Sequence, residues 1–199
     1  MADRDPSDLH EPASGARTPA RFTLGQFDRM IEAGVFDGPG SAELVRGEIV
    51  HVNAKYLPHI ANQDELLVVL RQLFRFRADI RVYSEGSIQI DPETTRETDV
   101  AIVRPQQRGT RRFSPQDVLL AIEIADSSLR RDLGDKLQDY ARANIPRVWV
   151  IDLNGEVVHL CAAPGPDGYS ERRVARFGEP ISLAPLLDAE LIVPPGGFE

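Results

Sequence analysis

The run Val118 to Ile124 reads VLLAIEI, and Glu123 is its one charged residue. An unpaired carboxylate among such neighbours costs several kcal/mol or takes up a proton, so a cation or strong donors must stand beside it. Asp99 sets a milder form of the same problem at the start of the apolar run DVAIV. Acids on neighbouring strands can converge on one divalent cation, and Mg²⁺ and Mn²⁺ prefer carboxylate oxygen. Lys136 follows in the next helical segment, where a flexible ammonium can orient a water nucleophile or stabilise a pentacovalent phosphate. Glu43 is a fourth candidate from earlier in the chain. Each has a plainer reading: a buried arginine partner for Glu123, a turn cap for Asp99, and solvated surface for Lys136 and Glu43. Residue chemistry alone therefore reaches a two-carboxylate metal site and no further.

The elements that would carry these residues follow from periodicity. Thr23 is a good N-cap for a short helix with Leu24, Phe27, Met30 and Ile31 at helical spacing and Gly34 at its close. Glu43 to Val52 alternates around Gly47 as a tight hairpin, and Ala61 to Phe76 carries a helical stripe of leucines. Arg81 to Tyr83 and Ser87 to Ile90 read as a second hairpin, followed by strands at Asp99 to Val103 and Val118 to Ile124. Leu129 to Ala143 is an amphipathic helix after Ser127 and Ser128, and Arg147 to Leu153 returns as a strand with Trp149 in the core. Such a strand, helix, strand unit forms a right-handed parallel crossover. Val157 to Ala162 and Tyr169 to Arg176 follow as antiparallel strands, and Leu183 to Val193 close the domain. The fold class is α/β in the mixed α+β sense, a mixed central sheet flanked by helices.

Composition narrows the setting. The chain has 199 residues, 42% of them hydrophobic, enough for one domain with a real core. Residues 1–20 are rich in Pro, Asp and Ser without hydrophobic period, so they read as a disordered arm before a single domain over 21–199. No apolar run is long enough for a membrane helix, and the acidic start lacks the pattern of an export signal, so a cytoplasmic protein with no membrane partner is expected. Cys161 is the single cysteine, which leaves oxygen or imidazole to hold any metal. The net charge of −8 excludes a broadly basic nucleic-acid binder and restricts any such role to a local patch. Among 23 basic residues only Lys55 and Lys136 are lysine, which raises the question of what only an ammonium does there. Lys55 receives no role from its sequence context.

Four segments carry a family resemblance: ELVRGEIV at 43–50, His59 at the head of the long helix, ETDVAIVRP at 97–105, and DVLLAIEIADSSLRRDLGDKLQDYARANIPRVWVIDL at 117–153. Over about residues 21–193 the chain resembles the Uma-two family of restriction endonucleases, a bacterial branch of the PD-(D/E)XK nuclease superfamily. The resemblance implies a restriction-endonuclease-like fold and a Mg²⁺- or Mn²⁺-dependent endonuclease acting on DNA, with a homodimer as its assembly. It makes Asp99 and Glu123 the metal-holding acids, Glu43 the additional early acid, and Lys136 the displaced catalytic lysine. Two positions depart from the superfamily pattern: Thr98 stands where a proline precedes the aspartate, and Ala125 where the strand lysine is expected. Glu123 and Ala125 share a strand face, so a helix over that face can supply the ammonium through Lys136.

His59 and Tyr140 are accessory candidates, His59 to orient a phosphate, act as base or merely cap, and Tyr140 as a packing neighbour one turn after Lys136. Arg104, Arg108, Arg111 and Arg112 follow the Asp99 strand, and Arg130 and Arg131 open the crossover helix, where they can contact DNA phosphates without reading sequence. The alternative, given Ala125 and the acidic charge, is a catalytically silent nucleic-acid-binding or protein-interaction module on the same fold. A purely structural dimerisation domain is the third reading.

Overall fold

The computed structural model describes residues 19–38, 40–107 and 109–198. Helix α1 (Leu24–Glu32) begins where Thr23 and Gln26 form a reciprocal capping box. Strands β1 (Ser41–Val45) and β2 (Glu48–Val52) make the early hairpin around Arg46 and Gly47. The long helix α2 (Leu57–Leu73) starts four residues before the expected Ala61, with Pro58 in its first turn.

Six strands form the central sheet: β3 (Arg81–Asp91), β4 (Thr94–Val103), β5 (Val118–Ala125), β6 (Arg147–Asp152), β7 (Val157–Gly165) and β8 (Gly168–Arg176). They lie in chain order, with β5 and β6 parallel and every other neighbouring pair antiparallel. Short strands β9 (Pro180–Ser182) and β10 (Glu190–Ile192) pair separately near the end of the chain. Among the described residues no helix is long and apolar enough to cross a membrane.

Alternation along β5 decides which element meets which face. Leu120, Ile122 and Ile124 pack with Leu66, Leu67 and Leu70 of α2 and with Trp149. Ala121 and Ala125 face the opposite way, against Leu137, Tyr140 and Ala141 of the crossover segment. Their small side chains let that segment approach the sheet closely, and Glu123 lies between them on the same face.

Two expectations are corrected. Arg81 to Ile90 is not a hairpin but one strand, β3, whose hairpin partner is β4. Gly86 sits inside β3 because the Phe113 ring covers it, so closely that a Cβ there would come within 2.0 Å of the ring. The crossover segment is not one amphipathic helix either. It runs as α3 (Leu129–Arg131), a wide turn of π type over Asp132–Lys136, and α4 (Leu137–Arg142). Gly134, at φ −97° and ψ −116°, breaks the helix inside that turn. The broken segment buries Asp132, Lys136 and Asp139, charges that an ordinary amphipathic helix would leave in water.

Candidate active site

The site forms where two strands part. The β4–β5 ladder ends at Val100 opposite Ile122, while β4 stays paired to β3 as far as Thr94 and β5 to β6 as far as Ala125. One residue past the last pair stand Asp99 and Glu123, side by side. Backbone groups that lose their ladder partners at this fork must find others. Ile124 N–H donates to Asp99 Oδ2 at 2.7 Å, Thr98 Oγ1 donates to the Ile122 carbonyl at 3.0 Å, and Gln63 Nε2 donates to the Asp99 carbonyl at 2.8 Å. Thr98, where the superfamily pattern has proline, thus supplies a hydroxyl that closes the fork.

Asp99 is held from several sides. Its Oδ1 lies 2.8 Å from Lys55 Nζ and 3.2 Å from His59 Nε2. The His59 approach is close but not aligned as a hydrogen bond, so that buried nitrogen has no directed partner. Burial opposes ionisation of Asp99, but the His59 contact and the ammonium groups of Lys136 and Lys55 outweigh it and hold the carboxyl well below its ordinary range.

Glu123 is only 1% exposed, and both of its oxygens are engaged. Lys136 Nζ donates to Oε2 at 2.6 Å and Tyr140 Oη to Oε1 at 2.6 Å. Burial pushes the Glu123 carboxyl up to about 8, and the Lys136 ammonium offsets this only in part. For Lys136 burial works against the charge, yet Glu123 and Asp132 outweigh it and raise its affinity for the proton. Burial, then the charge of Glu123, raises Tyr140 well above its ordinary value. Against the rise at Glu123 stands the geometry, a donor group at 2.6 Å on each oxygen with one of them an ammonium, and on that ground we assign the pair as ammonium and carboxylate.

A cleft of about 770 Å³ opens over the fork, with Glu43, Lys55, His59, Asp99, Arg131 and Lys136 on its walls. Glu123 is not on the wall and meets the cleft only through Lys136. Among the described residues no three His, Cys, Asp or Glu side chains converge as a metal cage. The donors that face the cleft are nevertheless of the right kind for a hard cation. Oxygens of Asp99, Glu85 and Gln63 surround the Lys55 ammonium at 2.8, 2.9 and 3.0 Å.

A family model described as "Putative restriction endonuclease", Uma2, matches residues 24–195. The chain belongs to the Uma2 family. A solved structure from Anabaena variabilis ATCC 29413, described as a "putative nuclease belonging to DUF820", shares the fold at a TM-score of 0.59 and 18% identity, over 82% of this chain and 88% of that one. No curated protein matches the chain.

In this Uma2 chain the early acid stands apart from Asp99. Glu43 Oε2 accepts from Arg96 Nη1 at 2.9 Å and Oε1 from the Glu97 N–H at 2.9 Å. Arg96 also grips Asp139 Oδ2 through Nε at 2.8 Å and Nη2 at 2.6 Å, and Arg46 meets Oδ1 of the same residue at 3.1 Å. A second buried ion network thus ties β1, β4 and α4 beside the first, with Lys136 and Asp139 on one helical face. Arg96 went unnoticed in the sequence, although an arginine inside the strand run TTRETDVAIV was a signal of the same kind as Glu123.

The arginines divide. Arg131 is on the cleft wall and contacts Asp132. Arg111 pairs with Glu32 and Arg112 with Asp28, both acids at α1, while Arg104 donates to the Gln116 carbonyl. Arg130 is exposed and off the cleft wall, and Arg108 lies outside the described residues. Lys55, to which sequence context assigned nothing, stands at the centre of the cleft's oxygens.

Proposed function

We propose that this Uma2 chain is a Mg²⁺- or Mn²⁺-dependent endonuclease that hydrolyses phosphodiester bonds in DNA. The observation that carries the reading is the strand fork itself, where Asp99 and Lys136 line one cleft and Glu123 stands behind Lys136. Asp99 presents Oδ1 to the cleft and would hold the cation, while Glu123, whose oxygens Lys136 and Tyr140 now occupy, backs it from the adjacent strand and would join it only on release from one of them. A divalent cation held there would supply Lewis acidity and an ionisable water at neutral pH. Lys136 keeps its proton beside Glu123 and can donate hydrogen bonds to the attacking water or to phosphoryl oxygen. Tyr140 fixes the other Glu123 oxygen and so the pair's orientation. His59 and Arg131 face the same space and can engage phosphate, and Glu43 acts through the Arg96 network that shapes the wall.

The test is cleavage of plasmid and single-stranded DNA with Mg²⁺, Mn²⁺ or EDTA. Metal-dependent cleavage that falls at least about a hundredfold in Asp99→Ala and Lys136→Ala is expected, the scale of a lost transition-state contact. Full activity in Lys136→Ala would remove Lys136 from the mechanism. One observation favours a second reading, since both Glu123 oxygens are saturated by side chains. A silent nucleic-acid-binding module would shift DNA in a salt-sensitive manner and cut nothing in any metal.

A further inference from the structure

Lys55 sits in the segment between β2 and α2, and its ammonium has three hydrogens and three oxygen partners: Asp99 Oδ1 at 2.8 Å, Glu85 Oε1 at 2.9 Å and Gln63 Oε1 at 3.0 Å. These oxygens come from three elements, β4, β3 and α2. Gln63 is buried and doubly used, because its amide also donates to the Asp99 carbonyl at 2.8 Å. Glu85 lies on β3 between Ser84 and Gly86, which pair with Val100 and Thr98, so it stands opposite Asp99. Its backbone adopts φ +52°, a left-handed conformation that costs a non-glycine residue energy inside a strand and persists where surrounding structure demands it. On the far side of Asp99 Oδ1 lies His59 Nε2, buried and without a directed partner. Oxygens from three elements, Glu85 at the exposed rim and Asp99 and Gln63 deeper, thus already surround one cation, with a buried imidazole nitrogen that has no directed partner beside them. The occupant seen is the protein's own ammonium.

We propose that Lys55 is the resident cation of the catalytic oxygen set and gives up its place when a divalent cation binds, so that Asp99 Oδ1, Glu85 and Gln63 become the metal-facing oxygens. This rests on the metal-dependent reading above and adds Glu85, Gln63 and Lys55 to it. While Lys55 stays in place it neutralises Asp99 without metal and keeps the fork together. When displaced, its flexible stem leaves the ammonium at the cleft wall, where an incoming phosphodiester carries negative charge. Metal affinity is then weakened by competition with an internal charge-assisted contact.

Mn²⁺ binding, followed by the electron paramagnetic resonance of the free ion, compares the wild type with Lys55→Met. The variant is expected to bind Mn²⁺ about tenfold more tightly, the equivalent of one ion-pair contact no longer broken. Equal or weaker binding by a Lys55→Met protein overturns the proposal while leaving the hydrolytic reading intact. If neither protein binds Mn²⁺, both fall. A second measurement needs no variant: the chain has only two lysines, and Lys136 is 3% exposed, so amine acylation read by peptide mass spectrometry reports on Lys55 against an internal control. Labelling of Lys55 is expected to rise several-fold with Mg²⁺ in the wild type. Labelling unchanged or slowed by Mg²⁺ contradicts displacement.

Discussion

Lys136→Met separates the stability of the buried pair from its chemistry. Removing the ammonium leaves Glu123, 1% exposed, with Tyr140 as its one remaining side-chain donor. A buried carboxylate without its cation takes up a proton, so its folded pKa moves far above the unfolded value of about 4.3. A group whose folded acid form is favoured loses stability as pH rises above the unfolded value, at up to about 1.36 kcal/mol per pH unit. From about 4.3 to pH 7 this amounts to about 3.7 kcal/mol, within the ~3–5 kcal/mol typical for breaking a buried ion pair. Urea denaturation of wild type and variant between pH 5 and pH 8 is the assay. The stability gap is expected to widen by about 2.7 kcal/mol between pH 5 and 7, and Lys136→Met/Glu123→Gln is expected to abolish that slope. A gap that is flat with pH would mean Glu123 is already protonated beside Lys136, and the ion-pair reading of the site would be wrong.

Arg96→Ala leaves Glu43 and the fully buried Asp139 without their shared partner and is expected to cost about 3–5 kcal/mol in thermal or urea unfolding; a loss below about 1 kcal/mol would show that the network is solvated. Asp99 has a depressed folded pKa, so its contribution is complete above the unfolded value of about 3.9 and drains away as pH falls toward the folded value. The stability difference between wild type and Asp99→Asn should therefore shrink between pH 5 and pH 3, and a difference that grows on acidification contradicts it. Arg131→Ala is expected to weaken DNA binding and lower the salt slope by about 1, whereas Arg112→Ala, which breaks the contact with Asp28, should lower the melting temperature and leave that slope unchanged.

The parts of this molecule that could be read from sequence are those set by near neighbours. Alternation around Glu123 identified the buried strand, the face it shares with Ala125, and the helix that must bring Lys136 over it, because all three relations lie within one strand, helix, strand unit. Glu43 shows where such reading stops. An acid on a hairpin does not reveal that an arginine 53 residues later and an aspartate on α4 will close around it. The same limit hid the break at Gly134, since the hydrophobic stripe from Leu129 to Ala143 fits a straight helix. The bent path goes instead with burying Lys136 and Asp139 against Glu123 and Arg96 of other strands, and Asp132 against its own neighbours Ser128 and Arg131.

The lysine count carries the argument one step beyond any single contact. Both lysines meet a carboxylate at the fork, Lys136 with Glu123 at 2.6 Å and Lys55 with Asp99 at 2.8 Å, so each strand acid has its own ammonium. Arginine, abundant everywhere else, is used beside them where one planar group must span two acids, as Arg96 does between Glu43 and Asp139. An ammonium suits the fork for the opposite reason: it is compact, and its three donors are not confined to a plane. It can sit among oxygens from three elements and be withdrawn along a flexible stem, which a bidentate guanidinium cannot do without breaking two parallel bonds at once. The scarcity of lysine thus divides two jobs by burial, with Lys136 set into the cleft wall and held there by Glu123, and Lys55, its side chain 28% exposed, free to leave Asp99.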